Sequence, residues 1–142
     1  MREVLFICTG NYYRSRFAEA MFNHAAKREG LPWRAFSRGL AIHLADGNIS
    51  RHTESALGER GIDLAQTAPT RVSLTEADLA RAHRVVALKR DEHHAMMLAQ
   101  FPLWADRIKY WAVHDLDASE PGPALAEIEI QVEILLRELT GG

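Results

Sequence analysis

Residues 4–19, Val-Leu-Phe-Ile-Cys-Thr-Gly-Asn-Tyr-Tyr-Arg-Ser-Arg-Phe-Ala-Glu, constrain the fold more than any other stretch of the chain. Val4 to Ile7 form an uninterrupted run of bulky apolar side chains, the pattern of a strand buried on both faces of a parallel sheet. Gly10 and Asn11 then supply residue types that tolerate unusual backbone angles. From Ser15 onward, Phe17, Ala18, Met21, Phe22 and Ala25 recur at helical spacing. Ser15 stands where an N-cap belongs and Gly30 where a helix stops. The reading is strand, tight loop, helix, with Cys8 at the carboxyl end of the strand and facing the helix N-terminus.

A loop in that place favours an anion, because free amides and the helix dipole converge on it. Two anions fit: a bound phosphate and the thiolate of Cys8. A free thiol titrates near pKa ~8.5, and a helix N-terminus with a cation beside it lowers that value. Arg14 is such a cation, and its planar fork grips two phosphoryl oxygens at once. Read alone, a lone cysteine at a strand end is more often a small buried apolar residue. The longer pattern is more specific: Cys8, Gly10, Asn11, Arg14, Ser15, Ala18 and Glu19, directly after an N-terminal apolar strand, resemble the low-molecular-weight protein tyrosine phosphatase family.

The chain has 142 residues, the size of one domain, and residues 1–142 are expected to form one. Its formal net charge of -2 leaves no global basic field, so neither nucleic acid nor an acidic membrane is an expected partner. A single cysteine excludes an intramolecular disulfide, and no apolar stretch is long enough to span a bilayer. A cytoplasmic location is expected. No metal or cofactor is expected either. His93 and His94 are adjacent, so on a helix they point apart, and no spacing supplies three or four convergent ligands.

Further along, residues 34–39 form a candidate second strand, followed by an irregular surface loop over 40–49. Arg38 is read as a solvated surface charge. Ser50 opens a second helix that stops at Gly61, and Ser73-Leu74-Thr75-Glu76 has the form of a capping box for a short helix through Leu79. Val85–Leu88 is a third strand, and residues 91–100 a further helix carrying Met96 and Met97. Ile108–Val113 is the last strand. Pro121-Gly122-Pro123 reads as a break, after which Leu125, Ile128, Val132, Leu135, Leu136 and Leu139 mark a long helix with one apolar face.

This alternation implies a three-layer α/β/α fold with a parallel sheet of four strands. The resemblance implies the order 2-1-3-4, with the phosphate-binding loop between strand 1 and helix 1. Ligands collect outside the carboxyl ends of strands in such sheets, so Asp115 and Asp117, beyond the last strand, lie within reach of Cys8. Asp115 aligns with the family's general acid. The proline that normally follows that acid is Leu116 here, so Asp117 remains the alternative.

The resemblance also assigns roles. Cys8 is the nucleophile; Thr9, Gly10, Asn11, Tyr12, Tyr13, Arg14 and Ser15 form the phosphate cradle, and Ser37 braces it through Asn11. His43 falls where an aromatic residue packs beside the substrate ring. Where relatives place a histidine behind the loop asparagine, Gln66 is the stand-in. Tyr13 holds the place of a second cysteine, Arg16 that of a proline, and Tyr12 that of the small threonine of phosphoarginine-directed relatives. The implied activity is a cysteine-dependent phosphomonoesterase acting on a phosphorylated protein or small aryl phosphate through a phosphocysteine. The alternatives are a catalytically weak phosphate-binding or regulatory protein and an arsenate reductase using an external thiol. Oligomeric state is not legible.

Overall fold

The computed structural model describes residues 1–113 and 121–141. Four parallel strands run in the order β2-β1-β3-β4: β1 is Arg2–Cys8, β2 Trp33–Gly39, β3 Arg84–Ala87 and β4 Lys109–Tyr110. The helices are α1 (Arg14–Arg28), α2 (Arg51–Glu59), α3 (Glu76–Arg81), α4 (Arg90–Gln100) and α5 (Pro121–Leu139).

Strand β1 is central, and its apolar run divides by alternation. Val4 and Phe6 pack with Phe17, Leu57 and Ile128 from α1, α2 and α5, whereas Leu5 and Ile7 pack with Leu79 and Met97 from α3 and α4. Four consecutive buried side chains therefore serve two cores. The sheet lies between α1, α2 and α5 on one side and α3 and α4 on the other. Its register pairs Cys8 with Gly39, so the loop after β1 emerges against the end of β2.

Glycine is required at that point. A Cβ on Gly39 would come within 2.9 Å of both the Asn11 nitrogen and the Thr9 oxygen, and 2.7 Å of the Ile42 side chain. The loop crosses the end of β2 too closely for any other residue.

Several local expectations differ from the observed structure. Helix α1 begins at Arg14 after Tyr13, with no side-chain cap, because the Ser15 hydroxyl is turned into the loop toward Cys8 and Asn11. The capping box of α3 pairs Thr75 with Asp78 rather than Ser73 with Glu76. Arg38 is not a solvated charge: its Nε donates to Asp78 at 3.1 Å, and its guanidinium lies over the Phe36 ring at 4.9 Å. The last strand is only Lys109–Tyr110, since Ala112 bridges Lys89 in the antiparallel sense and ends the parallel ladder. Residues 121–123 lie inside α5, where a first turn tolerates proline because its amides have no intrahelical acceptor.

Helix α5 docks through Leu125, Ile128, Val132 and Leu135, all buried against α1. Truncating the fully buried Ile128 to alanine is expected to cost about 3 kcal/mol, a drop in Tm of roughly 6–12 °C in a thermal melt. An unchanged melt would show that this face is not packed as described.

Candidate active site

The loop from Cys8 to Ser15 joins the central strand to α1. The thiol of Cys8 is 2 % exposed and lies 2.9 Å from the Ser15 hydroxyl. It opens into a cavity of about 190 Å³ bordered by Gly10, Tyr12, Arg14, Leu44 and Ala45. A larger cavity of about 430 Å³ lies between α1 and α5, with Met21, Ile62 and Leu136 among its walls. It lies apart from Cys8 and the loop that follows it.

The loop's shape rests on Asn11, which is fully buried and is the only non-glycine residue with positive φ among the described residues, at 50°. Its amide orientation follows from its partners. Oδ1 accepts from the Val72 amide at 2.8 Å, so Nδ2 faces Ser15 at 3.0 Å and Ser37 at 2.9 Å. The Ser37 hydroxyl, already accepting from Asn11, donates to Glu19 Oε1 at 2.6 Å. The Ser15 oxygen likewise accepts from Asn11, which leaves its own proton for Cys8 once the thiol has ionised. One hydrogen-bonded set thus links the buried Glu19 carboxyl through Ser37, Asn11 and Ser15 to the Cys8 sulfur.

Glu19 is 4 % exposed and also accepts from the Thr67 hydroxyl at 2.7 Å and the Ala68 amide at 3.2 Å. Burial raises its pKa, while the Ser37, Thr67 and Ala68 hydrogen bonds and the nearby Arg16 pull it back. Every one of these donors addresses the ionised form.

At the rim, Arg14 Nη2 meets Glu92 Oε2 at 2.7 Å. The same oxygen lies 2.9 Å from His93 Nε2. His93 is completely buried; its Nδ1 accepts the Lys89 amide at 3.0 Å, so Nε2 carries the ring proton and shares it between Glu92 and Thr9 Oγ1, 3.2 Å away. The His93 hydrogen bond is the largest cause holding Glu92 well below the ordinary carboxylate range, with the Arg14 charge adding to it against burial. Burial pushes the Tyr13 phenol up, with Arg14 opposing, so it stays neutral.

The expected residues divide as follows. Cys8, Thr9, Gly10, Tyr12, Tyr13 and Arg14 border one cavity, and Asn11, Ser15 and Ser37 lie behind it in one hydrogen-bonded set. His43 is exposed and lies outside the cavity lining, where Leu44 and Ala45 stand. The Asn11 side-chain oxygen is supported by the Val72 amide, and it is the main-chain carbonyl of Gln66 that is engaged, accepting from Asn23. Asp115 and Asp117 lie outside the described residues. Among the described residues no cluster of three or more potential ligands could hold a metal, and no helix is long and apolar enough to cross a membrane. Three contributors escaped the sequence reading. Glu92 and His93 carry no spacing signal toward residue 14, and a backbone amide such as that of Val72 has no side-chain signature at all.

A buried cysteine and a rim arginine on one loop, between the first strand and first helix of a parallel sheet, define a phosphatase-like α/β protein with a cysteine centre. The chain belongs to the low molecular weight phosphotyrosine protein phosphatase family, whose sequence model matches residues 3–121. It is accordingly a protein tyrosine phosphatase-like hydrolase of phosphoric monoesters. A protein-arginine-phosphatase of Bacillus subtilis is 33 % identical over 106 residues, covering 75 % of this chain and 67 % of the relative. Low molecular weight protein-tyrosine phosphatase A of Mycobacterium tuberculosis is 32 % identical over 130 residues, covering 83 % of this chain and 74 % of the relative. The crystal structure of a low molecular weight protein tyrosine phosphatase from T. tengcongensis superposes with a TM-score of 0.82 at 29 % identity, covering 97 % of this chain and 99 % of the other.

The Glu92 pKa sets a sign for stability. A carboxylate depressed in the folded state stabilises it above the ordinary value of 4.5, and that contribution is lost as pH falls below it. Glu92→Gln is expected to flatten the loss of urea-unfolding stability between about pH 5 and pH 3. An unaltered acid limb in the variant would contradict the pairing.

Proposed function

We propose that this protein is a cysteine-dependent phosphomonoesterase that hydrolyses phosphotyrosine-like aryl phosphates through a phosphocysteine intermediate. The observation that carries the reading is Cys8 Sγ at 2.9 Å from the Ser15 hydroxyl, which accepts from the thiol and from Asn11 and keeps a proton to give the sulfur once the thiol has ionised. A thiolate held there faces an anion-favouring loop and the Arg14 guanidinium.

In the first half-reaction the Cys8 thiolate attacks phosphorus, the S–P bond forms and the P–O bond to the leaving group breaks. Loop amides from Thr9 to Arg14 and the Arg14 fork hold the equatorial oxygens, where charge gathers. Asp115, or Asp117 in its place, protonates the departing oxygen. In the second half-reaction the same carboxylate takes a proton from water, water attacks phosphorus and the S–P bond breaks. The thiolate then leaves with the Ser15 proton directed at it.

Support for a covalent intermediate comes from a structure of an arginine phosphatase in which serine replaces the cysteine and is phosphorylated; it superposes with a TM-score of 0.81 at 27 % identity. That species belongs to the relative, and it makes the equivalent step on Cys8 reasonable. For the substrate, Tyr12 and Leu44 give the mouth two large side chains against which a phenyl ring fits. The substrate class is therefore a phosphorylated protein side chain or small aryl phosphate. The chain is further proposed to act as one domain, without cofactor or metal.

Cys8→Ser is expected to lower turnover of p-nitrophenyl phosphate at least about a thousandfold while inorganic phosphate still binds. Phosphate binding by a wild-type protein that shows no turnover would instead favour a binding or regulatory role. In pH profiles of the same turnover, replacing the true general acid with asparagine is expected to flatten the limb where rate falls as pH rises, and to lower kcat about a hundredfold. The comparison is Asp115→Asn against Asp117→Asn, and a profile altered by neither would refute both assignments.

A further inference from the structure

Arg16 stands among the most deeply buried side chains of the molecule, 1 % exposed, on the first turn of α1 directly behind the phosphate loop. Burying a guanidinium is costly unless its donors are satisfied, and here they are. Nε donates to the Thr67 hydroxyl at 2.6 Å, Nη1 to the Asn48 carbonyl at 3.0 Å and more weakly to the Asn11 carbonyl at 3.4 Å, and Nη2 to the Ala68 carbonyl. Glu19 lies 4.0 Å away as counter-ion. Three carbonyls from three separate segments thus converge on one cation.

We propose that Arg16 is a positioning residue of the phosphate cradle: it gathers carbonyls behind the loop, turns the Asn11–Tyr12 peptide toward the anion and sets a fixed positive charge behind Cys8. In a planar trans peptide the carbonyl and the following N–H point in opposite directions. Drawing the Asn11 oxygen back toward Arg16 therefore aims the Tyr12 N–H at the opposite, cradle side. This also helps hold Asn11 at its positive φ, a conformation a non-glycine residue adopts only when its surroundings enforce it. Through Asn48 and Ala68 the same guanidinium ties the 40–50 and 63–69 loops to the cradle, so the mouth and floor of the site share one support.

Electrostatics agree with the geometry. Burial lowers the Arg16 pKa, while Glu19 and then Cys8 raise it and Arg71 lowers it, so the Arg16 and Cys8 charges interact. The charged groups around the thiolate are then Arg14 with Glu92 and His93 at the rim, and Arg16 with Glu19 and Arg71 behind the loop. Glu19 accepts hydrogen bonds from Ser37, Thr67 and Ala68 and meets Arg16 only at 4.0 Å, so the guanidinium's hydrogen bonds go to Thr67 and the three carbonyls.

This inference rests on the cysteine-phosphatase reading and deepens it. Because Cys8 is the single cysteine, its alkylation by iodoacetamide can be followed by intact mass across pH in the full chain, with and without inorganic phosphate. Circular dichroism melts run alongside to confirm that each variant is folded. Arg16→Met is expected to raise the midpoint of the alkylation profile by about one pH unit or more. Arg16→Lys keeps a charge without the fork, so its midpoint is expected between the two, with phosphate protecting Cys8 about tenfold less well than in wild type. A folded Arg16→Met with the wild-type midpoint would overturn the proposal. So would Arg16→Lys with wild-type phosphate protection, and that arm decides alone if Arg16→Met does not fold. Absence of aryl phosphate turnover in a wild-type protein whose Cys8 phosphate still protects would instead sink the hydrolase reading and leave the role of Arg16 in anion binding standing.

Discussion

The buried carboxylate of Glu19 is the fixed point from which the active-site loop takes its polarity. Its Oε1 accepts from both the Ser37 and the Thr67 hydroxyl, so each turns its proton inward and offers its lone pairs outward. Ser37 and Thr67 do this, the first toward Asn11 and the second toward Arg16. Asn11 then has no freedom of orientation, and Ser15 in turn has one proton left to give. A single carboxyl group buried on α1 thereby orients the hydrogen bonds through Ser37 and Asn11 to the Ser15 hydroxyl beside Cys8. Low local dielectric makes such a chain strong when complete and costly when one partner is lost.

Charge is distributed on the two sides of the loop for different purposes. Arg14 at the rim is steered by Glu92, itself held by His93 through a ring whose other nitrogen is occupied by the Lys89 amide. This pair belongs to α4 and reaches the loop across the carboxyl end of the sheet. On the far side Arg16 is enclosed by backbone carbonyls. Arg14 thus stands at the border of the cavity, whereas Arg16 is enclosed behind the loop. The close crossing at Gly39 completes the frame by bringing the end of β2 against the loop backbone.

Much of the architecture was legible before any coordinates. The short apolar run Val4–Ile7 is wholly buried in β1, and Val85–Leu88 falls largely on β3, whose Val86 and Ala87 are buried, as runs of that kind do in a sheet covered on both faces. The glycine stops at Gly30 and Gly61 both have positive φ, as a helix exit demands. Errors arose where two local uses competed for one side chain. Ser15 could cap a helix or face a thiol, and Ser73 or Thr75 could open α3; only long-range partners distinguished them. Arg38 looked exposed because arginine usually is, yet Phe36 beneath it and Asp78 beside it provided an apolar face and a counter-charge.

The sequence by itself determined the kind of chemistry: a cysteine, an arginine and a serine at fixed spacing on a strand–loop–helix unit, because residues so close in the chain have little geometric choice. It also determined the alternation that makes a parallel α/β sheet. Only the tertiary structure decided what supports that chemistry. Glu92 and His93 on Arg14 and Thr9, the Val72 amide on Asn11, and Asn48 and Ala68 on Arg16 all come from distant parts of the chain. Their roles depend on distances of a few ångströms between separate elements. Such distances follow from how the helices and loops pack on the sheet, and no local pattern of residues encodes them.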